Sequence, residues 1–142
     1  MAMAITGDVG AGKSTASGMF ESRGWALIDA DRIVADLWLT SGVTEAAVER
    51  WGKGILENGV VVHSRVGALI FNNRVEYNWA MSLLHPLVKK EMQLRVETLK
   101  SDGKPIVAEI PMLFEAGAAP WVTLKTFVTA SRGVRLKRCL AR

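Results

Sequence analysis

Gly7-Asp8-Val9-Gly10-Ala11-Gly12-Lys13-Ser14 satisfies the pattern G-x-x-x-x-G-K-[ST], and it follows the apolar run Met1–Thr6. In that setting the pattern is a phosphate-binding loop between a buried strand and a helix. Its glycines let successive backbone N–H groups turn toward one anion, and the helix amino terminus adds partial positive charge. Lys13 is then placed to reach β- and γ-phosphates, and Ser14 to offer its hydroxyl to Mg²⁺. A dinucleotide fingerprint is the nearest competing pattern, since Gly10-Ala11-Gly12 begins G-x-G-x-x-G. Its third glycine would fall at Thr15, so that match fails.

The rest of the chain is expected to follow in alternation. A helix runs from about Lys13 to Ser22, a second short strand covers Trp25–Ile28 after Gly24, and Asp31 stands where it caps a helix through Leu39. Residues 41–100 show helical spacing without a clear buried strand and read as a mainly helical insert. Pro105–Ile110 and Leu124–Ala130 read as two more strands, with Glu109 interrupting the first near its carboxyl end. Ser131 can cap a last helix. Strands alternating with helices imply an α/β fold with a parallel sheet covered on both faces. No repeat or linker divides the chain. The expectation is one domain over 1–142, with a core at about 1–40 and 101–130, the insert at about 41–100 and a basic segment at about 131–142.

Charge is uneven along the chain. All six charged side chains from Lys125 to Arg142 are basic, whereas residues 1–124 hold 12 basic and 14 acidic groups. An anionic ligand is expected at the tail, and a solvated helix face is the alternative. The tail lacks interleaved aromatics and any nucleic-acid-binding motif, so no nucleic-acid partner is expected. The longest stretch without a charged side chain, Tyr77–Val88, contains Pro86 and falls short of the roughly 18 residues of a membrane span. No basic residue precedes Lys13 and no leader pattern is visible. Cys139 is the single cysteine and cannot form an internal disulfide, which suits a reducing cytoplasm. The five tryptophans read as core or domain-contact residues.

Asp29-Ala30-Asp31 falls at the carboxyl end of the expected second strand, the edge at which parallel sheets bind ligands. From position alone, Asp31 serves either as a helix cap or as a base that accepts a hydroxyl proton while the loop holds a phosphoryl group. His85, before Pro86, is either a packing or capping residue or a ligand contact.

These residues sit within a wider pattern: TGDVGAGKST at Thr6–Thr15, DAD at Asp29–Asp31, Trp51-Gly52, Gly59, Ile70-Phe71, LLHP at Leu83–Pro86, IPMLFE at Ile110–Glu115 and RLKRCLAR at Arg135–Arg142. In this order and spacing the chain resembles the dephospho-CoA kinases over essentially its whole length. The resemblance implies transfer of the ATP γ-phosphoryl group to the ribose 3′-hydroxyl of dephospho-CoA, the last step of coenzyme A synthesis. It also implies a three-layer, adenylate-kinase-like core, a helical CoA-binding insert and a basic lid. On the matching positions, Gly10, Ala11, Gly12, Lys13, Ser14 and Thr15 bind ATP, and Ser14 meets Mg²⁺. Asp31 is the base, with Lys13 and Arg138 as catalytic partners; Arg138 and Arg142 approach the ATP phosphates. His85, Leu113 and Glu115 join Asp31 in holding the acceptor. His63 and Ala35 stand where the family commonly carries arginine, and Glu109 where it often carries aspartate. Members of the family usually continue past the position of Arg142, so the chain is expected to be truncated there. The alternatives are another phosphate-loop kinase of small molecules or nucleotides, or a non-catalytic nucleotide-binding module.

Overall fold

The computed structural model describes residues 1–111 and 119–141. It divides into two compact units, one formed by Met1–Asp31 with Met92–Arg142 and the other by Arg32–Glu91.

The first unit is built on four strands, β1 (Ala2–Gly7), β2 (Ala26–Asp29), β5 (Ile106–Glu109) and β6 (Leu124–Val128). They form one parallel sheet in the order β2-β5-β1-β6. Ala2, Met3, Ala4 and Ile5 of β1 are all buried, as are Ile106, Val107 and Ala108 of β5. Successive side chains of a strand point to opposite faces, so both faces of the central strands are covered, as parallel sheets require. On one face Met3, Ile5 and Val107 pack with Ala16, Phe20, Trp25, Leu27 and Val128. Ala16 and Phe20 come from α1 (Lys13–Glu21), spaced four residues apart on one side of that helix. Both central strands are short apolar runs next to a glycine turn, β1 running out into Gly7 and β5 following Gly103, which is why they were legible in the sequence.

Register decides what meets at the carboxyl edge. Asp29 of β2 pairs with Glu109 of β5, and Glu109 in turn with Ile5 of β1. Gly7 pairs with Val128 of β6, and a side chain at residue 7 would lie 2.1 Å from the Val128 carbonyl oxygen. Glycine is therefore the residue that lets β1 turn out of the sheet into the loop at φ +145°.

The helix after β2 begins two residues earlier than a cap at Asp31 would place it. The helix α2 covers Ala30–Leu37, and the Asp31 backbone N–H donates to Asp29 Oδ1 at 2.9 Å. Asp29, rather than Asp31, is the residue that caps α2. An aspartate at either position can perform this task, and the point at which the backbone leaves the sheet decides between them.

The second unit holds α3 (Ser41–Trp51), a turn of 3₁₀ helix at Lys53–Ile55, and α4 (His63–Phe71). Most of α5 (Arg74–Ser101) also lies within it, the division between units falling after Glu91. Trp38, Val43, Ala47, Ile55, Val61, Val66, Ala80 and Leu84 form its core. Trp51 and Trp79 meet edge to face at 4.8 Å, the packing role expected of the tryptophans. Glu76 accepts from Arg50 Nε, Arg50 Nη2 and Trp51 Nε1, and these bonds hold its carboxyl below the ordinary range. The unit is not wholly helical. A hairpin joins β3 (Leu56–Glu57) to β4 (Val60–Val61), turning through Asn58 and Gly59, both at positive φ. Asn-Gly is the pair that a two-residue hairpin turn demands, but strands of two residues are too short to show alternation in sequence.

Candidate active site at the sheet edge

The loop from Gly7 to Gly12 leads directly into α1. Gly12 occupies the N-cap position in the left-handed region, no side chain caps the helix, and its first turn carries no acid. That terminus therefore presents backbone N–H groups and the positive end of the helix dipole to an anion. Lys13 Nζ donates to the carbonyls of Gly7 at 2.9 Å and Asp8 at 3.2 Å, which holds its point charge over the loop. Gly10 and Ala11 are buried within the loop, while Ser14 and Thr15 are exposed in the first helical turn.

Beneath the loop lies a carboxylate. Glu109 is buried at the end of β5; it accepts from Ser14 Oγ at 2.9 Å and Ser17 Oγ at 2.8 Å. Burying an acid is costly without such partners, and two hydroxyls satisfy one oxygen each. Glu109 and Ser14 together offer oxygen ligands, the donor type that suits a hard divalent cation. Among the described residues no three acidic, histidine or cysteine side chains form a metal cluster. A Mg²⁺ site needs none, since that ion keeps several waters and shares substrate phosphates with one or two protein ligands. The sequence signal for Glu109 was its polarity at the end of an apolar strand. Ser17 gave no comparable signal.

Asp31 stands in the first turn of α2. Its carboxyl is held above the ordinary carboxylate range, first by desolvation and then by the charges of Asp29 and Glu109, with Lys13 pulling the other way. The loop lysine and the three carboxyls thus share one electrostatic neighbourhood at the carboxyl ends of β2 and β5.

The basic segment folds as α6 (Arg132–Leu140), with Ser131 at its N-cap and Ser131 Oγ 3.5 Å from Val134 N. Arg138 Nη1 donates to the loop carbonyls of Gly10 at 3.2 Å and Ala11 at 3.1 Å. One nitrogen of the guanidinium fork is used in this way, and the fork has further N–H groups for an acceptor on the loop. The basic helix α6 is thereby connected to the phosphate loop through the Arg138 side chain.

The structure brings Gly10 to Thr15, Arg138 and the Asp31 carboxyl into the first unit. His85 is exposed on α5 within the second. Leu113, Glu115 and Arg142 lie outside the described residues.

A family model described as dephospho-CoA kinase matches residues 1–142. The chain belongs to the dephospho-CoA kinase family. A dephospho-CoA kinase of Carboxydothermus hydrogenoformans is 37% identical over 97% of this chain and 68% of its own length. Two solved structures share the fold. One, from Thermus thermophilus, gives a TM-score of 0.82 at 24% identity, covering 100% of this chain and 72% of the other. The second, a dephospho-CoA kinase from Campylobacter jejuni, gives 0.70 at 18% identity over 99% and 94%. The parallel sheet with its phosphate loop is thus a phosphate-loop kinase core. Among the described residues no helix is long and apolar enough to cross a membrane.

Proposed function

We propose that this dephospho-CoA kinase family member transfers the γ-phosphoryl group of ATP to the ribose 3′-hydroxyl of dephospho-CoA, in the cytoplasm, as the final step of coenzyme A synthesis. The observation that carries the reading is the meeting, on one sheet edge, of an anion-binding loop and an aspartate not used to cap its helix.

In this reading the loop amides of Gly10 to Thr15 hold the ATP phosphates, and Lys13 neutralises charge that spreads over the transferring group. Ser14 and Glu109 would hold Mg²⁺, which supplies charge neutralisation at the phosphate oxygens. Asp31 orients the 3′-hydroxyl and accepts its proton as the oxygen attacks phosphorus and the bond to the β-phosphate oxygen breaks. A carboxyl whose proton affinity is raised toward the working pH is better matched to that task. Arg138 stabilises the transferring phosphoryl group, and Arg142 is assigned the same role. His85, Leu113 and Glu115 are assigned to the acceptor.

The test is phosphoryl transfer from ATP to dephospho-CoA beside a panel of nucleosides and nucleotides. Product carrying the new phosphate on the ribose 3′-oxygen is expected only with dephospho-CoA. Preferred phosphorylation of another acceptor would replace this reading, and ATP binding without transfer to any acceptor would leave a nucleotide-binding module.

A further inference from the structure

Arg135 and Arg138 stand three residues apart on α6, so both leave the same face of the helix. That face meets the phosphate loop at three successive places. Arg135 Nη1 lies 2.8 Å from Asp8 Oδ2. Arg138 donates to the carbonyls of Gly10 and Ala11. Between them the helix backbone itself approaches, since a side chain at residue 10 would come within 2.7 Å of the Arg135 carbonyl oxygen and 3.0 Å of Cys139 Sγ.

Asp8 is an unexpected residue at such a site. Its carboxylate sits on a loop whose amides, lysine and helix terminus all attract anions, and unpaired it would repel an incoming phosphate. Ion pairing with Arg135 offsets that charge and also ties α6 to the loop. We propose that Asp8 is a positioning residue: by holding Arg135 it seats α6 on the phosphate loop and thereby sets the Arg138 guanidinium over Gly10 and Ala11. The proposal rests on the reading of Arg138 as a group that acts on ATP phosphates.

Magnitude limits the expected effect. The Asp8 side chain is about half exposed, and Arg135 Nε is buried without a partner, so it adds nothing to the contact. Exposed ion pairs of this kind couple by about 0.2–1 kcal/mol, which corresponds to a factor of roughly 1.4 to 5.

The experiment compares Asp8→Asn, Arg135→Gln and the double variant, each with and without Arg138→Ala. Each single change is expected to lower kcat by roughly 1.4- to 5-fold. Asp8→Asn should not raise KM for ATP, because repulsion of the phosphate is lost together with the clasp, whereas Arg135→Gln should raise it as well, because it leaves the Asp8 carboxylate unpaired. The double variant should be no slower than the slower single one, Arg135→Lys should recover part of the loss, and Arg138→Ala should matter less once Asp8 is neutral. Additive losses, a rise in KM at constant kcat, or an undiminished Arg138→Ala effect would overturn the proposal. Hydrogen exchange over residues 132–140 of the free protein reads the same clasp without turnover. Exchange should quicken equally in Asp8→Asn, Arg135→Gln and the double variant, and unchanged exchange overturns the clasp. A wild-type chain that fails to phosphorylate dephospho-CoA refutes the assigned reaction instead, and the exchange data then decide the clasp by themselves.

Discussion

Ser14 Oγ donates to Glu109 Oε1 at 2.9 Å, joining the first turn of α1 to the last residue of β5 across 95 positions of sequence. The bond places an ionisable oxygen beside the one loop side chain that the phosphate-loop motif offers to a cation. It also accounts for the burial of Glu109 in an otherwise apolar strand.

Replacing Glu109 with Gln keeps the shape and an acceptor for Ser14 but removes the negative charge. The Mg²⁺ concentration needed for half-maximal turnover should rise by about 10- to 100-fold, the range for altering groups that support a metal site. Titrating activity against Mg²⁺ at saturating ATP measures it, and an unshifted midpoint removes Glu109 from the cation's surroundings.

Lys13→Ala takes away a point charge that the loop carbonyls of Gly7 and Asp8 hold in place. Turnover should fall by about 10²- to 10³-fold, as for the loss of one preorganised group at a developing charge. The melting temperature should change little, because the side chain buries little apolar area. A variant that turns over normally at saturating ATP excludes Lys13 from the mechanism.

For Arg138→Ala the expected loss is about 10- to 150-fold in kcat, the equivalent of one hydrogen bond of about 1.5–3 kcal/mol to a charged group. Affinity for dephospho-CoA should stay nearly constant. If the variant keeps its rate and changes only in solubility, α6 is a solvated helix rather than part of the site.

Much of this site could be read before any coordinates, and the reasons are local. The phosphate loop is contiguous, and β1, β2 and β5 are apolar runs bounded by glycine turns, so each element announces itself within a few residues. What was not legible depends on long-range or boundary geometry. Asp8 and Arg135 lie at opposite ends of the chain, and nothing near either one signals the other. The exchange of the capping role between Asp31 and Asp29 turns on a helix starting two residues early. The hairpin at Asn58-Gly59 has strands too short for periodicity to register.

Gly10→Ala tests the close approach of α6 directly. The added methyl group would meet the Arg135 carbonyl at 2.7 Å, at a φ of +77° that an L side chain rarely adopts. A destabilisation of about 1–3 kcal/mol is expected from the backbone strain, with lower turnover as α6 is pushed from the loop. Thermal melts and kinetics check both; a variant as stable and active as the wild type would mean that the helix does not rest on the loop in solution.

Asp31→Asn separates catalysis from stability. The raised proton affinity of Asp31 comes mainly from desolvation, then from Asp29 and Glu109, against the opposing pull of Lys13. In the folded chain this carboxyl therefore holds its proton more tightly than in the unfolded chain. Its contribution to stability is full below the ordinary carboxylate range and is lost as pH rises through the raised native value. At neutral pH the ionised group opposes folding, so the amide should leave the melting temperature unchanged or higher and flatten its dependence on pH across that interval. Activity should move the other way. Without a group to take the 3′-hydroxyl proton, transfer should slow by about 10²-fold, the lower end for a positioned base given the loose transition state of phosphoryl transfer. The acidic limb of kcat/KM for the wild type should lie above the ordinary carboxylate range and vanish in the variant. Asp29→Asn should cost less, because asparagine still caps α2. Single-turnover transfer to dephospho-CoA across pH, paired with thermal melts, decides the matter: a variant that keeps both the wild-type rate and its acidic limb would show that Asp31 takes no proton in the reaction.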